Sequence, residues 1–98
     1  MFKSIVLSSL YNLFEREELI MMLNDAIRQK IKSLCESNHL SVYELAKRSG
    51  IKRNSISNFM NIEERYMTLT TLIRIIKVFD LNLSTFFADP IFRDIKGI

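Results

Sequence analysis

The sequence predicts an all-α domain, and three features of the chain support this prediction. The chain has only two glycines and one proline in 98 residues, and these are the residues that interrupt helices. Apolar residues recur at spacings of three and four through most of the chain. The alternation of apolar and polar residues between turn signals, which is typical of strands, does not occur. The length is that of one small domain.

Residues 1–20 form the first predicted element, a helix with an unusually large apolar surface. The apolar residues lie on more than one side of this helix: Phe2, Val6, Leu10 and Leu13 on one side, and Leu7, Tyr11 and Phe14 on another. Such a helix is not expected to stand alone in water. We expect it to pair with its copy in a homodimer or to pack on its own domain. A third alternative is that translation starts at Met21 or Met22.

Two helices are predicted next. Asn24 and Asp25 suit the start of a helix that ends near residues 37–38. Ser41 and Glu44 have the spacing of a capping box, in which the hydroxyl accepts from a free backbone N–H and the carboxylate bonds back to the cap. The capping box predicts a short helix over residues 42–48.

Two further helices are predicted in the C-terminal part. Thr68 suits the cap of a helix that carries Leu69, Leu72, Ile73, Ile76 and Phe79 at helical spacing. After it, Ser84 is predicted to cap a last short helix and Pro90 to end it. In the tail, residues 91–98, three apolar side chains are predicted to form a surface for a partner: Ile91, Phe92 and Ile95.

The stretch between residues 45 and 59 predicts a helix-turn-helix. Gly50 allows a left-handed turn between helix 42–48 and a second short helix over residues 52–60. Ala46 is small enough for two helix backbones to approach closely. Four apolar residues are expected to fill the angle between the helices: Leu45, Ile51, Ile56 and Phe59.

The second helix of this pair has one apolar and one polar face. With 100° per residue, four polar side chains fall within about 140° of each other, opposite Ile56 and Phe59. These four residues are Arg53, Asn54, Ser57 and Asn58. Arg and Asn are the side chains that make bidentate hydrogen bonds to guanine and adenine. The polar face is therefore a candidate for reading base edges, and a solvated face of an ordinary helical hairpin is the alternative.

Positive charge is concentrated around the same segment. The net charge of +3 divides into −2 over residues 1–25, +5 over residues 26–60 and zero over residues 61–98. The cations of the middle segment are Arg28, Lys30, Lys32, Lys47, Arg48, Lys52 and Arg53. A local basic patch is typical of proteins that bind a polyanion such as DNA.

Two stretches, LSVYELAKRSGIKRNSISNFMN and MTLTTLIRIIKVFDLNLSTFF, make the chain similar to the lambda-repressor/Cro type of helix-turn-helix proteins, often called XRE-like. The resemblance covers about residues 25–88. It implies an all-α, five-helix lambda-repressor-like bundle; the helix predicted over residues 1–20 lies outside the resemblance and would be an extra N-terminal helix. The resemblance also implies a homodimer that binds a double-stranded DNA operator and places its third helix in the major groove.

The resemblance also suggests which residues contact DNA. Those implied at the groove are Lys52, Arg53, Asn54, Ser57 and Asn58. Those implied at phosphates are Ser41 and Asn61, together with the nearby basic residues Lys47 and Arg48. The chain departs from the family pattern at Val42, where Gln is frequent, and at Met60, where Glu is frequent. Glu63 and Glu64 add negative charge beside the predicted DNA surface.

Other function classes find little support in the sequence. One His and one Cys offer no catalytic triad, metal cluster or internal disulfide, and there is no glycine-rich phosphate loop. We expect a cytoplasmic protein that is not an enzyme and has no cofactor, metal, membrane segment or small-molecule ligand. His39 is predicted to be a solvated linker residue and Cys35 a small packing residue.

The leading hypothesis is a sequence-specific DNA-binding transcriptional regulator, a repressor. Its domains would be the N-terminal helix 1–20, a helix-turn-helix domain over residues 21–90 and the tail 91–98. The alternative is a protein-interaction module or antitoxin-like partner protein that keeps the fold. The acidic residues after the second short helix, and the Val at position 42, favour that alternative.

Overall fold

The chain folds into a bundle of helices. The computed structural model describes residues 22–62, 65–93 and 95, which form five α-helices and a 3-10 turn, with no strand among them. The elements are α1 (residues 22–37), α2 (Val42–Ser49), α3 (Arg53–Asn61), α4 (Leu69–Lys77), α5 (Leu83–Phe87) and the 3-10 turn Pro90–Phe92. The predicted all-α five-helix bundle is confirmed. The extra helix predicted for residues 1–20 lies outside the described residues.

Side-chain caps fix the starts of α2 and α4, as the sequence predicts. The Ser41 hydroxyl accepts from the Glu44 N–H at 3.1 Å, and the Thr68 hydroxyl accepts from the Thr71 N–H at 3.2 Å. Each cap satisfies a backbone donor that has no partner within its helix. The second half of the predicted capping box does not form among the described residues. Instead, the Glu44 carboxylate lies 3.9 Å from Nε of Arg48, one turn further along α2.

Two other predicted starts are wrong. The chain is already helical at residue 22, and Asn24 is buried inside α1. The last helix is capped by Asn82 rather than Ser84, because the Asn82 side chain accepts from the Thr85 N–H at 2.8 Å. Pro90 does not end that helix, which stops at Phe87. It begins the 3-10 turn, where a missing N–H costs nothing.

One core is formed by apolar side chains from all five helices and the 3-10 turn. α2 packs against α3 and α4, and α4 packs against α5. The most deeply buried side chains are Ile31, Leu45, Ile56, Ile75, Ile76, Phe86 and Phe92. Within the described part of the chain, no helix is long and apolar enough to cross a bilayer.

The apolar residues of the tail belong to this core. Phe92 is 1 % exposed and Ile95 is 5 % exposed, while Ile91 is half-buried against the core. The Phe92 ring lies 5.4 Å from that of Phe86 and 4.9 Å from that of Phe87, both measured between centroids. The predicted partner surface is therefore wrong for Phe92 and Ile95, because the 3-10 turn directs the chain back onto the bundle.

Candidate nucleic-acid interface

The turn between α2 and α3 has the predicted geometry. Gly50 has φ 72° and ψ 20°, in the left-handed region that other residues enter only at a cost. Its N–H and that of Ile51 both reach the Ala46 carbonyl, at 3.0 and 3.3 Å. Ala46 and Leu45 are buried beneath the turn. The chain thus ends α2 with a short left-handed cap and starts α3 three residues later.

The two faces of α3 differ as the sequence predicts. Ile56 and Phe59 are buried in the core, whereas Arg53, Asn54 and Asn58 are exposed. Among the described residues, these three polar side chains make no hydrogen bond or ion pair with the rest of the protein. Their donors and acceptors are therefore available to a ligand. Ser57 lies at the edge of this face and is half-buried.

The other predicted contact residues are exposed at different distances from the turn. Lys47 and Arg48 are in the last turn of α2, and Lys52 directly precedes α3. With Arg53, these four cations flank Gly50 on both sides. Ser41 and Asn61 lie at the far ends of α2 and α3.

The start of α3 differs from the starts of its neighbours. Its N-cap is Lys52, whose side chain makes no capping hydrogen bond, whereas α2, α4 and α5 are each capped by a side-chain oxygen. Backbone N–H groups at a helix start carry partial positive charge and favour an anion. Lys52 and Arg53 add full charges at the same point, so this end of α3 is suited to a phosphate.

Two cations that the sequence assigns to the basic patch are used inside the bundle. Lys30 Nζ donates to Asp89 Oδ2 at 2.6 Å and so joins α1 to the 3-10 turn. This hydrogen bond, and a second from the Ile91 N–H, hold the pKa of Asp89 below its ordinary value. Arg28 is 9 % exposed and bonds to the chain around the end of α3. The exposed cations of residues 26–60 are therefore the other five, four of which flank the Gly50 turn.

Arg28 was counted in the basic patch from the sequence, and its burial and its bonds to the end of α3 were not predicted. Its spacing contains a signal, since it follows Asn24 by four residues and precedes Ile31 by three, which puts all three on one face of α1. All three are buried. Asp25 is a bonding partner of Arg28 from the same helix, whereas three partners among the described residues, Phe59, Ile62 and Arg65, lie 31 or more positions away in the chain. The helical spacing could thus have shown that Arg28 is buried, but not what it binds.

Comparison with protein families supports the assignment of α2 and α3 as a helix-turn-helix. Residues 30–90 match the family model of the Cro/C1-type helix-turn-helix DNA-binding domain, which is more than half of the chain. Comparisons with curated proteins and with solved structures gave no match. The matched region includes α2, the Gly50 turn and all of α3. On this match and the geometry of the α2–α3 pair, the chain belongs to the Cro/C1-type helix-turn-helix family of DNA-binding domains.

Proposed function

We propose that this protein is a sequence-specific transcriptional regulator, a repressor, that reads the major groove with α3. The observation that carries the proposal is the polar face of α3. Arg53, Asn54 and Asn58 are exposed and unengaged within the described chain, while Ile56 and Phe59 hold the same helix in the core. Side chains that read bases need this combination, because a rigid helix must hold them at hydrogen-bonding distance from the base edges.

Each exposed residue has a role that follows from its chemistry. Arg53 suits the O6 and N7 acceptors of guanine, and Asn54 and Asn58 suit adenine, which offers both a donor and an acceptor. Lys47 and Arg48 lie beside the turn and suit phosphates, which add affinity without sequence preference. Arg48 remains available for this role, because its contact with Glu44 is long and exposed and contributes little.

The remaining predicted contacts are proposed on their position and type. Lys52 and the uncapped start of α3 would meet one phosphate. Ser41 and Asn61, at the outer ends of the two helices, would meet others, and Ser57 would approach the groove from the edge of the polar face. The Ser41 hydroxyl already accepts from Glu44, so its own hydrogen remains as the donor to a phosphate oxygen.

A homodimer is part of the proposal. One α3 spans only a half-site, and two copies on one face of DNA must be separated by about one helical turn, 34–36 Å. Residues 1–20 are the proposed dimer element because of their large apolar surface; packing on their own domain is the alternative. A protein shortened to begin at Met22 tests this. Sedimentation should report a monomer and gel shift a weaker complex, whereas an unchanged dimer with full affinity would refute this role.

Selection of bound duplexes from a random library tests the proposed function as a whole. We expect a shared sequence to emerge, with lower affinity for scrambled DNA. About five phosphate contacts for each protomer would give a slope of about −4 to −5 in log affinity against log salt. A flat salt response without sequence preference would refute DNA reading and favour the protein-interaction alternative. Repression would then be tested by placing the selected sequence over a reporter promoter, where transcription should fall.

A further inference from the structure

The C-terminal end of α3 lacks the features that usually finish a helix. The helix runs into Ile62, which is extended with φ −110° and ψ 110°, so no left-handed residue closes the last turn. Its last turn also contains no basic residue to interact with the exposed carbonyls. By contrast, α2 ends in a left-handed glycine and has two cations in its last turn. The end of α3 must therefore be stabilised from elsewhere.

Arg28 of α1 provides this stabilisation. Its Nε donates to the Phe59 carbonyl at 2.6 Å, and its Nη2 donates to the carbonyls of Ile62 and Arg65, both at 3.1 Å. The guanidinium carbon also lies 4.7 Å from the centre of the Phe59 ring, which is a favourable distance for a cation–π contact. A single side chain thus binds the last turn of α3, at Phe59, and the chain that follows it, at Ile62 and Arg65.

The guanidinium is itself held in position. Nη1 donates to Asp25 Oδ1 at 2.9 Å, from the preceding turn of α1, and the Arg28 side chain is 10 % exposed. A buried charge with several hydrogen bonds is costly to disturb, because removal of one partner leaves the other group unsatisfied. Arg also fixes directions that Lys cannot, because its donors form a planar, rigid fork. The contact therefore restricts both the distance and the angle of α3 relative to α1.

We infer that Arg28 is a positioning residue for DNA reading: it fixes the C-terminal end of α3, and with it the direction in which Asn58 faces the groove and Asn61 faces its phosphate. The expected effect of Arg28 on DNA recognition rests on the proposed function. Asn58 is adjacent to Phe59, and its carbonyl accepts from the Ile62 N–H at 2.8 Å. A hydrogen bond to a base weakens when the donor–acceptor distance changes by more than a few tenths of an ångström. A protein whose α3 end is loosened should therefore lose its preference between DNA sequences before it loses its general affinity for the phosphate backbone.

The test compares Arg28→Lys with the matched control Lys30→Gln in the full chain. Both changes disturb a cation of α1 that bonds across the bundle, but Lys30 bonds to Asp89 and not to α3. The first measurement is the ratio of Kd for random DNA to Kd for the selected duplex, taken well below the melting temperature. We expect this ratio to fall at least tenfold in Arg28→Lys and to stay within twofold of wild type in Lys30→Gln, even where both lower the melting temperature.

The second measurement is amide hydrogen exchange without DNA. The N–H of Ile62 should exchange at least tenfold faster in Arg28→Lys, and at the wild-type rate in Lys30→Gln. Asp25→Asn serves as a milder variant, because the Asp25 side chain is about half exposed and Asn keeps an oxygen that can accept from Nη1 of Arg28. It should shift both readouts in the same direction by a smaller amount, and it decides the question if Arg28→Lys does not fold.

The two proposals fail in different ways. An unchanged Kd ratio in folded Arg28→Lys and Asp25→Asn would overturn the role of Arg28 in DNA reading, even if wild type prefers its selected sequence. Unchanged Ile62 exchange in the same variants would overturn its role in fixing the helix end. A wild-type protein without any sequence preference would instead refute the proposed function and the DNA consequence together, and the exchange measurement would still decide the structural part.

Discussion

Substitution of Gly50 tests the geometry of the helix-turn-helix most simply, because only backbone conformation is at stake. A Cβ atom added at Gly50 would have no heavy atom within 4 Å, so the cost cannot come from a clash. At φ 72° an L-residue loses about 1–2 kcal/mol. Gly→Ala also reduces the conformational entropy of the unfolded chain, which stabilises the folded state by roughly 0.4–1 kcal/mol. The net destabilisation expected for Gly50→Ala is therefore about 0–1.6 kcal/mol.

A graded series makes this prediction specific. Gly50→Asn should cost less than Gly50→Ala, since Asn enters the left-handed region more readily, and Gly50→Val should cost most because it is β-branched. For a chain of this size, about 1 kcal/mol corresponds to a shift of roughly 4–8 °C in Tm. His39 has φ 56° and provides a reversed control, so His39→Gly should leave Tm unchanged or raise it slightly.

Thermal unfolding followed by circular dichroism measures the series. The expected order of Tm is Gly50, then Asn, Ala and Val. Equal Tm values for all four proteins would show that residue 50 is not held at positive φ, and would refute the placement of the turn. A large loss already in Gly50→Asn would contradict the conclusion that the site has open space.

The remaining predictions concern packing and pH. Ala46 is 7 % exposed beneath the turn, so Ala46→Leu should overpack the α2–α3 angle and cost about 1–3 kcal/mol in denaturant unfolding; an unchanged midpoint would contradict the close approach of the two helices. The pKa of Asp89 is lower in the folded protein, mainly because of the hydrogen bond from Lys30. The ionised Asp89 carboxylate therefore stabilises the fold above the unfolded pKa of about 3.9, and this stabilisation is lost as the pH falls below that value towards the folded pKa. The Tm difference between wild type and Asp89→Asn should therefore shrink below about pH 4; a difference that is constant from pH 7 to pH 3 would refute this role.

Local features of this chain could be predicted from its sequence because each depends on a few neighbouring residues. The Ser41 cap, the Gly50 turn and the opposed faces of α3 all follow from spacing within one or two helical turns. The family match over residues 30–90 agrees with the resemblance that these features carry. Asn82 was missed for a related reason. Asn82 and Ser84 are both good capping residues, and the choice between them depends on where α4 ends.

Long-range contacts could not be predicted in this way. Nothing local to Lys30 indicates an ion pair with Asp89, 59 positions away, and nothing local to Phe92 indicates that it completes a cluster with Phe86. Counting charge along the sequence consequently overstated the basic patch, because Arg28 and Lys30 are bound inside the bundle. The assignment of individual residues to bases and phosphates stays a prediction, since it depends on how the protein lies on DNA.

The most direct test of the central proposal is the base preference of α3 variants at every position of the selected duplex. Arg53→Ala and Asn54→Ala should each lose roughly 1–3 kcal/mol at one or two base positions and relax the preference there. Lys47→Ala, the control, should weaken all sequences about equally, because a phosphate contact carries no base information. If Arg53→Ala instead weakens all sequences equally, and Asn54→Ala leaves the preferences unchanged, the proposal that α3 reads bases with its exposed face is wrong.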